Sequence, residues 1–145
     1  MKDQLVTYEI AKELESLGFN ESCLFSFEPG YGGLECKLNP FLKRNSTCDI
    51  GEITAPLWQQ VIDWFREKYD LHIEVNSWYN PGNSDYDNII YYEYYISCKE
   101  NLFDGGFNNA RKRIGNDKIV FYHLKNTFEE AREQAIFDAI DMVKK

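Results

Sequence analysis

Apolar residues recur at helical spacing near the start of the chain. Val6, Ile10, Leu14 and Leu17 fall on one stripe, which predicts a helix from about Gln4 to Leu17. Gly18 then suits a left-handed stop, and Phe19 beyond it can fold back on Leu14, the hydrophobic contact of a Schellman ending. After that the period drops to two. Cys23, Phe25 and Phe27 alternate with Leu24 and Ser26, and Leu34, Cys36 and Leu38 alternate with Glu35 and Lys37. These runs predict a hairpin of Ser22–Glu28 and Gly33–Leu38 that turns at Pro29-Gly30-Tyr31-Gly32-Gly33, where glycine supplies positive φ. No Gly-Lys-Ser/Thr follows and no helix opens there, so the glycines mark a turn and not a phosphate loop. Residues 39–53 show no period and are expected to be loop.

The helical period returns from Ala55 to Tyr69. Thr54 is the expected cap and Pro56 sits in the first turn, where amide protons lack intrahelical partners. Leu57, Trp58, Val61, Ile62 and Phe65 make the predicted buried stripe with Trp64 at its margin, and Gln59, Gln60, Asp63 and Glu67 face water. Leu71–Asn76 alternates as a strand, Asn88–Cys98 is the most β-prone stretch, and Lys118–Leu124 is a further strand reached through the polar segment 99–117. A capping box at Thr127-Phe128-Glu129-Glu130 opens a last helix, with Phe128, Ala135, Ile136, Ala139, Ile140 and Val143 on its apolar face.

The resulting order is α-β-β-α-β-β-β-α. Consecutive strands joined by short turns imply an α+β fold, a mainly antiparallel sheet with helices packed on one face. With 145 residues, no internal repeat and no separating linker, the expectation is a single domain over residues 1–145. The aromatic share of 16% suits strands and large contact surfaces and argues against disorder.

Charge narrows the partners. Acidic residues outnumber basic ones 24 to 16, for a net −8 that is spread along the chain. Such a field repels phosphates and anionic lipids, so neither nucleic acid nor membrane is an expected partner. The stretch from the second helix to the third has the α-β-β-β-α order of a double-stranded RNA-binding domain. Yet Glu129 and Glu130 stand where an RNA phosphate would require basic residues. There is no apolar leader and no long apolar run, so a cytoplasmic chain is expected, with Cys23, Cys36, Cys48 and Cys98 reduced. Their spacing offers no Cys-x-x-Cys for zinc.

Three blocks carry a resemblance. The first is Ala55-Pro56-Leu57-Trp58-Gln59-Gln60-Val61-Ile62-Asp63-Trp64-Phe65-Arg66-Glu67 with the strand Leu71-His72-Ile73-Glu74-Val75. The others are Ala11-Lys12-Glu13-Leu14-Glu15-Ser16-Leu17-Gly18-Phe19 and Glu129-Glu130-Ala131. Together they resemble small uncharacterised proteins of gut bacteria and their phages, which share an Ala-Pro-x4-Val-x2-Trp-x-Arg-Glu helix followed by an Ile-x-Ile strand. That resemblance implies a phage-related setting and a shared fold, with no activity attached.

Three constellations are candidates for chemistry. Asp70, His72 and Glu74 share one strand face at steps of about 6.5–7 Å. With His123 from a later strand they offer ligand types for a hydrolytic metal site, against the plainer reading of a solvated face, with Asp70 still in the turn after the second helix, and of a buried core histidine. On the β-prone stretch Ile90, Tyr92, Tyr94 and Ile96 face one side, and Ile89, Tyr91, Glu93 and Tyr95 the other, so helices on one face leave tyrosines on the opposite one. Arg111-Lys112-Arg113 can grip a phosphate or simply solvate a polar loop. No nucleophile, metal or cofactor motif appears, so no catalytic residue, metal or cofactor is assigned. The leading expectation is a non-enzymatic phage or mobile-element accessory protein, monomer or homodimer, that binds a protein partner through an aromatic sheet face. Tyr91, Glu93, Tyr95, His72 and Glu74 are its candidate contact residues. Alternatives are an acidic DNA-mimic inhibitor of a DNA-binding protein and a metal-dependent enzyme.

Overall fold

The structure, a computed structural model, describes residues 2–30, 33–79, 90–98, 111–113, 119–121, 125 and 127–144. The class is α+β, with helices and antiparallel strands, as the periodicity predicts. The chain divides into two compact units, residues 1–64 with Lys144 and residues 65–143 with Lys145. Among the described residues the strands form three separate ladders.

In the first unit α1 spans Tyr8–Ser16 and starts later than its apolar stripe suggests. Thr7 caps it, its hydroxyl accepting from the Ile10 N–H at 3.4 Å. Ahead of that cap a 3-10 turn at Lys2–Gln4 leads into a short strand-like contact. Leu5 bridges Leu57, and the Val6 N–H donates to the Pro56 carbonyl at 3.0 Å. Val6 is therefore buried by a short strand-like contact instead of a helix turn. The expected ending holds. Gly18 has φ 83, and the Gly18 and Phe19 N–H groups donate to Glu15 and Leu14 at 2.9 Å each, the bond pair of a Schellman motif.

The first sheet contains β1 (Cys23–Gly30), β2 (Gly33–Lys43) and β3 (Ile53–Ala55) in the order β2-β1-β3. Phe25 and Phe27 lie opposite Leu38 and Cys36 on one side and opposite Ala55 and Ile53 on the other. Tyr8 meets Phe27 edge-on at 5.7 Å, which sets α1 over that apolar face. The reverse face carries Ser26, Lys37 and Thr54. Residues 39–53, expected to be loop, instead hold the rest of β2, a 3-10 turn at Asn45–Thr47 and all but the last two residues of β3. Two features hid them. The register shifts between Cys23, which pairs Lys43, and Phe25, which pairs Leu38, so residues 39–42 bulge and break the period of two. Pro40 interrupts the run as well, and it is tolerated because it lies in the bulge of a strand that is outermost among the described residues.

The second helix, α2, spans Trp58–Tyr69. Thr54 is not its cap: it lies in β3, and its N–H and hydroxyl both donate to Asn45 Oδ1 at 2.9 Å. The Leu57 N–H finds Gln60 Oε1 at 3.0 Å instead, the backward arm of a capping box. Trp64 is buried in the stripe, whereas Leu57 is exposed and Ile62 half-buried.

In the second unit β4 (His72–Tyr79) pairs antiparallel with β5 (Ile90–Ser97) without a register break. The last helix, α3, spans Phe128–Val143, and the Thr127 hydroxyl caps it by accepting from the Glu130 N–H at 3.1 Å. Ala131, Ala135 and Ala139, all fully buried at four-residue spacing, let α3 lie close across β4 and β5. Tyr94 and Ile96 fill the space beneath it. The basic triplet expected in a loop is instead a strand, β6 (Arg111–Arg113), paired antiparallel with β7 (Ile119–Phe121).

Candidate functional site

The first sheet places a compact polar network on one face. Ser26 is in the middle of β1, Asn39 and Lys43 are on β2, and Glu52 precedes β3. The Ser26 hydroxyl donates to Glu52 Oε1 at 2.5 Å, Lys43 Nζ reaches both Glu52 oxygens at 2.8 and 2.7 Å, and the Asp49 N–H donates to Oε2 at 3.0 Å. Burial by itself would raise the Glu52 carboxyl. The bonds from Lys43, Ser26 and the Asp49 backbone outweigh it and hold the carboxyl down at about 2. Ser26 Oγ also lies 2.9 Å from Asn39 Oδ1, while Asn39 Nδ2 is buried without a partner. A hydroxyl carries one proton, and the carboxylate takes it. Turning the Asn39 amide by 180° lets its nitrogen donate to Ser26 Oγ, which satisfies the buried donor and both contacts at once.

A serine beside a lysine and a carboxylate has the ingredients of nucleophilic catalysis. This geometry argues otherwise. Ser26 is fully buried, so no substrate reaches its oxygen, and Glu52 stays ionised at neutral pH and takes no proton. The thiols beside the network are also poor nucleophiles. Burial pushes Cys23 and Cys48 up to about 11, and for Cys48 the Glu52 charge adds to the effect. The network is a clamp that fixes the bulged end of β2 to the segment before β3.

Outside this clamp the hairpin exposes large apolar side chains. Phe41 is 82% exposed, Leu38 66% and Leu42 62%, with Leu24 at 50% and Leu34 at 46%. Phe41 and Leu42 belong to the bulge, and the register puts Leu24 opposite them on β1. Leu34 and Leu38 lie on the outer strand of the face that α1 covers over β1 and β3. These positions were missed because Phe41 and Leu42 sat in an apparent loop. The available signal was three consecutive solvent-averse residues, Pro40-Phe41-Leu42, in a stretch without glycine.

The five sequence candidates do share one face of β4–β5. His72 lies opposite Ser97, Glu74 opposite Tyr95, and Asn76 opposite Glu93. The β4 half of that face is open, with His72 and Glu74 exposed. The β5 half is not: Glu93 is buried, Tyr91 and Tyr95 are half-buried, and the Tyr95 hydroxyl donates to Glu93 Oε1. On the other face Tyr94 is wholly buried, its hydroxyl donating to Asp138 Oδ2 at 2.5 Å. Burial and that carboxylate push its phenol well up. Asp70 is not in β4. It has φ 55 in the turn after α2, and its carboxylate lies 3.6 Å from His72 Nε2. His123 lies outside the described residues. Among the described residues no group of three or more His, Cys, Asp or Glu is placed to hold a metal ion, and no helix is long and apolar enough to cross a membrane. Compared with protein-family models, with curated proteins and with solved structures, the chain matches none.

Proposed function

We propose that the chain is a non-enzymatic accessory protein of a phage or mobile element that binds a protein partner, with the bulged end of the β1–β2 hairpin as the contact surface. The setting rests on the resemblance alone. The observation that carries the contact is the exposure of Phe41 and Leu42 side by side, with Leu24 opposite them. Burying such side chains yields about 1.5–3 kcal/mol each, a large return from few residues. The clamp supports this reading too, because a bulge pinned by Lys43 and Glu52 presents Phe41 and Leu42 without much ordering cost. The tyrosine face is a weaker candidate, since Glu93 is buried and Tyr91 and Tyr95 are already half-covered.

The test compares two double variants of the tagged full chain, both checked for fold by circular dichroism. Phe41→Ser with Leu42→Ser should abolish retention of a specific protein from a bacterial host lysate, and Tyr91→Ala with Tyr95→Ala should leave it. Retention lost only in the tyrosine variant would move the contact back to β5. Retention lost in neither would reject both surfaces.

A further inference from the structure

We draw no further inference here: the strongest candidate, the exposed apolar side chains of Leu34 and Leu38 on β2 beside the bulge of the first sheet, continues the contact surface already proposed, and nothing in the structure shows what covers it.

Discussion

The two larger ladders treat their large side chains in opposite ways. In β4–β5 the sheet face under α3 takes the big residues inward: Tyr94 and Ile96 are fully buried, and the Tyr94 hydroxyl is matched to Asp138. In β1–β2 the same alternation is present, but α1 covers the apolar face only over β1 and β3. Leu34 and Leu38 on the outer strand stay exposed, and so do Phe41 and Leu42 in the bulge. The polar groups are inverted in the same sense. The first sheet buries the Glu52 carboxylate with the half-buried Lys43 against it, whereas β4 leaves His72 and Glu74 in water. A period of two says which residues share a face. It does not say how far the covering helix reaches, and that reach decides whether an apolar stripe is core or contact surface.

The largest effect expected from this contrast is at Tyr94. Tyr94→Ala removes a fully buried ring and should cost about 3–5 kcal/mol in urea unfolding. Phe41→Ser, a comparable loss of aromatic surface, should cost about 0.5 kcal/mol or less, because that ring is already in water. Equal costs would end the comparison. Glu52→Gln comes next at about 2–3 kcal/mol, since it deprives Ser26, Lys43 and the Asp49 N–H of a charged acceptor. The carboxyl of Glu52 is held at about 2 in the fold against an ordinary value of 4.5. A depressed carboxyl stabilises fully above its unfolded value and loses that contribution as pH falls toward the folded one. Stability of the native chain should therefore drop between roughly pH 4.5 and 2 by more than that of Glu52→Gln, measured by unfolding at each pH. Parallel profiles would show that the clamp does not hold the charge.

How much was legible depends on whether a local pattern had a distant competitor. The stop at Gly18 and the cap at Thr127 were readable because each is set within one turn of its own helix. Thr54 was misread because a threonine before an apolar stripe is a good cap, yet β1 claims it as a strand residue and Asn45 takes its donors. Three-residue β3 has too few positions to show a period, and it exists because Phe25 and Phe27 supply the ladder. Strand parity put His72 with Glu74 and Tyr91 with Glu93 and Tyr95, whereas the register of β4 on β5, which joins the two sets on one face, lay outside it. The half-burial of Tyr91 and Tyr95 lay outside it too, since parity carries no information about cover.

The smallest effect separates the two caps. Thr7 and Thr127 have the same side chain and the same role, each accepting from the N–H three residues on. The bond at Thr127 is 3.1 Å, within the normal range, and the one at Thr7 is 3.4 Å, beyond it. Thr7 also has other support. The segment before it is held by the Leu5–Leu57 bridge and by the Val6 N–H to Pro56, so the start of α1 is fixed even without the hydroxyl. Thr127→Ala should therefore cost about 1 kcal/mol and Thr7→Ala about half of that or less. Chemical denaturation of both variants checks the order. If Thr7→Ala proves the costlier, the cap is what positions α1 and the extended segment is its consequence, which reverses the cause assigned here to the late start of that helix.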